Sequence, residues 1–268
     1  MHTASFMAHL HICLELLKRD MYLLKKNMWG KCLDGILLTC TQLIMYGKLF
    51  PLLGMPKEYI LPIYVGSTTL LLFISLGFTM AINIVISALH EGHAQFEYFF
   101  TLPCPKKWIF VYHVLSFVIE TALITLPLLL VGIFCLADNG GLLIVSSAFS
   151  FFPFYFASLT VIATFFLAIA FVHRPQWFLD NVWPRRIGPL MSLSSAFFSW
   201  KLVASYAPIM GTVLLLNPMT YITEGIRATL LPHAPHISLI FCCAALVLFF
   251  IFCCYLLQKG VYKQLDPV

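Results

Sequence analysis

LHEGHAQFEYFFTLPCPKKW, residues Leu89 to Trp108, is the stretch on which the reading of the fold turns. It holds two acids, two histidines, a cluster of aromatic rings, a Pro-Cys-Pro break and a Lys-Lys pair. The chain before it, Ile60 to Ser87, carries no formal charge, and the chain after it, Ile109 to Leu136, carries only Glu120. A short amphipathic helix, a stop and then cations form a polar connection between two apolar segments. Such a pattern belongs at the water boundary of a membrane bundle.

The composition agrees. Of the 268 residues, 61% are hydrophobic and 10% charged, whereas soluble domains carry about 25% charged residues. Repeated long apolar runs with so few charges specify an integral membrane protein. The net charge of +5 is then a matter of topology and gives no reason to expect nucleic acid as a partner. Cys40, Cys135, Cys242, Cys243, Cys253 and Cys254 lie in or beside apolar segments, where a thiol packs as a small hydrophobe. Their spacing is not that of a zinc site, and no metal is expected.

Upstream, Phe6, Leu10, Cys13, Leu17, Met21, Leu24 and Met28 recur at intervals of three and four, the mark of one apolar helical stripe. The opposite face has His9, His11, Glu15, Lys18, Lys25 and Lys26. Residues 1–30 are therefore expected to form an amphipathic helix on a membrane surface, and the charges within the pattern argue against a cleaved signal peptide. Residues 31–268 are expected to form an all-α polytopic domain of six spans. These are Leu33–Leu53, Ile60–Ser87, Ile109–Leu136, Leu142–Val172, Ile187–Ser205 and Ile237–Leu257, each near or above the roughly 20 residues a span needs. Pro153 offers a break in the long fourth span. Small residues in the fourth and fifth, including Ser146, Ser147, Ser194 and Ser195, allow close helix contact.

With the N-terminus inside, only Lys48, Lys57, Lys201 and Arg227 of the 16 Lys and Arg fall outside. This bias places both termini in the cytoplasm. Arg174, Arg185 and Arg186 then sit at the inner boundary, where they could also meet lipid phosphates. On the outer side, residues 203–231 remain apolar but are broken by Pro208, Gly211 and Asn217-Pro218. Asn caps a helix and Pro fits its first turn, so Pro218 to Leu231 is expected to be a short helix, preceded by another over Val203 to Leu216. Both are too short to cross, and they read as re-entrant helices.

Candidate chemistry is sparse. His90-Glu91-Gly92-His93 has histidines at i and i+3, not the i and i+4 of a metalloprotease helix. Glu120, near the middle of the third span, must face protein or water. His113, seven residues earlier, shares its face. The pair could relay protons, or Glu120 could bond a Ser or Thr of a neighbouring span. Glu224 and Arg227 are three apart and can pair as a local salt bridge, which is compatible with a polar rim on an outer gate. No GxxxxGK[ST] loop is present, so any ATP that drives the chain is bound elsewhere.

This element order resembles the membrane subunit of type-2 ABC transporters, the exporter class that includes polysaccharide, nodulation-factor and drug permeases. FEYFFTLPCPKKWIFVYHVLSF, Phe96 to Phe117, is similar to the family's approach to the third span. LNPMTYITEGIRATL, Leu216 to Leu230, is similar to its NP-x-TY…E-x-x-R stretch. The family's Glu-Arg/Lys…Gly-Thr run is reduced here to Glu91-Gly92.

The resemblance implies that residues 89–104 form a coupling helix seated on a separate ABC ATPase subunit, with Glu91, Phe96, Glu97, Phe99, Phe100 and Leu102 as the contacts. It implies an outer gate of Asn217, Pro218, Tyr221, Glu224 and Arg227. It also implies a second permease chain forming a homodimer in the inner or plasma membrane, and ATP with Mg held by the ATPase, with no cofactor on this chain. The cargo would be lipidic, glycan or drug-like. Two other classes stay open. A membrane-embedded transferase would use His113, Glu120 or His173 and needs its polar residues gathered at one depth. A passive channel or assembly factor would need no ATPase.

Overall fold

The structure, a computed structural model, describes residues 2–90, 105–136 and 141–265. The coupling segment with Glu91, Phe96, Glu97, Phe99, Phe100 and Leu102 lies outside the described residues. All described regular structure is helical. Helix α1 spans His2–Ile44 and runs on through a π-helical turn at Met45–Leu49 and a last turn at Phe50–Leu52. Then follow α2 (Lys57–His90), α3 (Lys106–Leu136) and α4 (Gly141–Val172). A broken segment begins with α5 (Pro175–Val182) and leads to α6 (Trp200–Tyr206), α7 (Pro208–Leu215), α8 (Pro218–Leu230) and α9 (Leu239–Leu265).

Five helical stretches among the described residues are long and apolar enough to cross a membrane: Trp29–Leu52, Tyr59–Ile86, Trp108–Leu136, Phe149–Val172 and Leu239–Val261. They coincide with five of the six expected spans. The remaining one, Ile187–Ser205, is not one helix. A π-helical turn at Trp183–Ile187 and a turn at Gly188–Ser192 continue α5, and residues 193–199 then leave the helical path. Pro184 and Pro189 remove backbone donors here. Ser194 also competes for the backbone: its hydroxyl donates to Met191 O at 2.6 Å and accepts from Ala196 N at 3.3 Å. Pro153, in contrast, sits within an unbroken α4.

The N-terminal stripe is present but not as a separate element. Cys13, Leu17 and Leu24 are buried, with Cys13 and Leu17 packed against Tyr112 of α3. No break separates residues 2–30 from the first span, because α1 continues through Trp29 and Gly30. Helices α1 and α3 run side by side in the same direction. Cys13 meets Trp108, Gly35 meets Ile124 and Leu128, and Gly47 meets Leu136. Helix α2 runs opposite to α3, with the Tyr64 hydroxyl donating to Leu128 O at 3.3 Å. Gly132 makes room for that ring: a Cβ there would lie 1.6 Å from the Tyr64 hydroxyl.

Helix α4 is the central post. It is 72% buried over its apolar window, against 17% for the first and last. Phe73 of α2 meets Tyr155 at 5.3 Å between ring centroids, and Phe249 of α9 meets Phe165 at 5.6 Å. Helix α9 runs along α4 in the same sense and closes at Gly260, which lies on the backbone of Phe171 and Val172.

The stretch expected as one helix over Val203 to Leu216 is two. Ala207 is non-helical (φ −141°, ψ 84°), and α6 and α7 fold back on each other there. Trp200 Nε1 donates to Gly211 O at 2.8 Å, and a Cβ on Gly211 would lie 2.8 Å from Ala204. Helix α8 forms where Asn217 and Pro218 place it. The Asn217 side chain accepts from Met219 N at 3.0 Å and donates to Leu190 O at 2.6 Å. Replacing this cap, Asn217→Ala, is expected to cost about 1–2 kcal/mol, read as a lower midpoint in a denaturant titration of the detergent-solubilised chain.

Candidate functional site

Helix α8 combines two properties that seldom coincide. Its sequence, PMTYITEGIRATL, is half polar, yet ten of its residues are buried, Glu224 and Arg227 completely. It is enclosed by α2, α4 and α9. A polar helix can occupy such a place only if every polar group is bonded. Thr220 Oγ1 donates to Leu214 O at 2.7 Å, Tyr221 OH to Leu215 O at 2.9 Å, and Ser195 Oγ and Thr223 Oγ1 share a bond of 2.7 Å.

Arg227 is the centre of this network. Its Nη1 meets Glu224 Oε1 at 2.8 Å. Nε donates to Pro62 O at 2.8 Å, Nη1 to Ser195 O at 2.5 Å and Nη2 to Ala196 O at 2.7 Å. The carbonyls exposed by the break at residues 193–199 are thus used by the guanidinium fork. Glu224 accepts in turn from Trp200 N, the start of α6, at 2.9 Å, and from Ile237 N at 3.2 Å. One ion pair joins α2, the broken segment, α6 and the approach to α9. Gly66 supplies the space, since a Cβ there would sit 2.2 Å from Arg227 Nη2 and 2.9 Å from Ala196 O.

The expected pairing of Glu224 with Arg227 is therefore present. Both side chains are interior, so Arg227 is also removed from the set of surface charges used to orient the chain. Asn217, Pro218, Tyr221, Glu224 and Arg227 all lie on α8 and its cap, where Glu224 and Arg227 bond each other while Asn217 holds Leu190 O and Tyr221 holds Leu215 O.

A second polar assembly lies toward the other end of the bundle. A groove of about 450 Å³ runs between α1 and α2, with α3 as its floor. Glu120 lies here with His113, as their shared face requires. The partner of Glu120 is not the expected Ser or Thr but Lys31 of α1. Lys31 looks like a boundary cation in the sequence; the parallel path of α1 and α3 brings it to mid-helix. Asp20 is held by Ser116 Oγ at 3.0 Å, by the Tyr112 hydroxyl and by Arg19 at 3.2 Å. Ser75, Thr79 and Asn83, four residues apart on α2, form the facing wall, and Asp34 of α1 completes the lining.

Sequence reasoning missed Asp20, Lys31 and Asp34 because it assigned the first two to a surface helix and its junction. The signal that could have found Lys31 is electrostatic: a carboxylate at mid-span, Glu120, needs a cation among the few that lie in or beside the apolar segments. Comparison of the chain with protein-family models, curated proteins and solved structures gives no match.

Proposed function

We propose that this chain is the permease subunit of an ATP-driven exporter of the type-2 ABC class, moving a lipidic, glycan or drug-like cargo with a separate ATPase subunit. The observation that carries the reading is α8: a capped Asn-Pro helix with a buried Glu-x-x-Arg pair, reached through two short helices and followed by a last long apolar helix. In this reading α6, α7 and α8 are re-entrant helices of the outer membrane half, and the clasp of Glu224 and Arg227 fixes them to α2. The interior connection Glu91 to Leu102 seats on the ATPase, both termini are cytoplasmic, and two permease chains pair across the pathway. The chain binds no cofactor of its own; ATP and Mg belong to the ATPase.

Phe99→Asp or Leu102→Asp is expected to abolish capture of the ATPase subunit on the tagged chain while insertion into the membrane is unchanged. Capture at the wild-type level by both variants would remove the coupling assignment.

A membrane-embedded transferase is a second reading, favoured by one observation. The groove gathers Asp20, Asp34, His113 and Glu120 at neighbouring levels of α1 and α3, as such an enzyme requires. Transferase activity in the purified chain without an ATPase would select it.

A further inference from the structure

We infer that the groove between α1, α2 and α3 binds an amphiphilic organic cation, with the cationic centre against Asp34 and the apolar body along Leu72, Leu76 and Met80. Charges at this depth are costly, and those present have partners of their own. Glu120 is taken by Lys31, and Asp20 by Arg19, Tyr112 and Ser116. Asp34 is different. It lies within the apolar stretch Trp29–Leu52, lines the groove with its side chain exposed, and makes no ion pair or hydrogen bond with any described residue. The groove thus carries one carboxylate more than its cations balance.

A second, independent feature points the same way. Thr121 lines the groove and is 1% exposed, and its hydroxyl has no hydrogen-bond partner among the described residues. Buried hydroxyls are normally satisfied, so the groove has both an unpaired charge and an unpaired polar atom to offer. Its volume, about 450 Å³, lies in the range of small-molecule sites. The rest of the wall is mixed: Leu38, Leu72, Leu76, Met80 and Ile84 are apolar, and Ser75, Thr79 and Asn83 stand beside them on α2.

This combination selects among ligands. An anion is repelled by Asp34. A metal ion is disfavoured, because no three His, Cys, Asp or Glu among the described residues stand together as ligands. A proton would neutralise Asp34 but leave the apolar walls and Thr121 unoccupied. A cation with a hydrophobic body satisfies the carboxylate and covers the wall. The inference goes beyond the exporter reading, since binding needs neither an ATPase nor transport, and each can fail without the other.

The test uses the full chain in nanodiscs of zwitterionic lipid, with empty nanodiscs subtracted. The probes are tetraphenylphosphonium and its isosteric anion tetraphenylborate. Saturable one-site binding of the cation alone is expected. Asp34→Asn should weaken it at least ten-fold, and Leu76→Trp, which fills the groove and keeps the charge, should also weaken it. Lys31→Gln, which leaves Glu120 uncompensated, should tighten it several-fold, an effect no loss of structure produces. Equal binding of the anion, or an unchanged Kd in Asp34→Asn, overturns the inference. Should Asp34→Asn fail to fold, an unchanged Kd in Leu76→Trp overturns it.

Discussion

Arg227→Ala is expected to destabilise the folded chain by about 3–5 kcal/mol, the cost of leaving one member of a buried ion pair uncompensated. The argument rests on what the guanidinium leaves behind. Glu224 would keep its bonds from Trp200 N and Ile237 N but lose its counter-charge, and the carbonyls of Pro62, Ser195 and Ala196 would lose their donors. Arg227→Lys restores the charge without the planar fork, so it should fall between wild type and alanine. Glu224→Gln keeps the shape but leaves the buried Arg227 charge without its counter-charge and turns one acceptor oxygen into a donor, so it too should cost about 3–5 kcal/mol. Arg227→Ala and Glu224→Gln both falling well below Arg227→Lys in a denaturant titration checks the clasp. A loss below about 1 kcal/mol for Arg227→Ala, the scale of a surface pair, would mean that the pair is not buried as described.

The second large effect is steric. Gly225 faces α4, and a Cβ there would lie 2.0 Å from Phe154 Cζ and 2.5 Å from Cε1. Phe154 is itself 4% exposed, so the ring has little room to retreat. Gly225→Ala is expected to cost about 1–3 kcal/mol by overpacking. Phe154→Leu should also destabilise alone, by opening a gap. Combined, the two should cost less than their sum, with a coupling of about 0.5–3 kcal/mol. Gly30, which has open space around its Cβ position, provides the control: Gly30→Ala should be neutral or stabilising, since it only improves helix propensity. Additive costs for Gly225→Ala and Phe154→Leu would show that α8 does not seat on α4 through this contact.

The legible parts of the fold were those set by local chemistry. Long apolar runs specify long helices, and five of them coincide with the described ones. Asn217-Pro218 specifies a helix start because the cap and the first-turn proline act within three residues. Glu224 and Arg227 could be paired from their spacing alone. Their burial could not, because their other partners are backbone carbonyls up to 165 positions away, and a carbonyl leaves no mark in the sequence. Gly66, whose missing Cβ makes room for the guanidinium, is a trace of that arrangement.

The misread parts were those where composition and backbone disagree. Ile187 to Ser205 is apolar enough for a span, yet prolines and serines divert its backbone, and Arg227 uses the carbonyls so released. Residues 1–30 have the charges of a surface helix, but nothing between Met28 and Lys31 is strong enough to end a helix. Gly30 weakens it by only about 1 kcal/mol. α1 therefore continues as one helix and carries Asp20, Lys31 and Asp34 along α3. The groove follows from that continuity, and no motif announces it.

The proposed exporter stands or falls on the partnership with an ATPase. The direct measurement is to purify the tagged chain in mild detergent, identify the proteins that accompany it in stoichiometric amount, and assay ATP hydrolysis after transfer to lipid nanodiscs. The account predicts an ABC ATPase subunit in equal number to the permease chain, with hydrolysis that falls when Glu91 to Leu102 is disrupted. A chain that purifies without any ATPase and supports no ATP hydrolysis would contradict it.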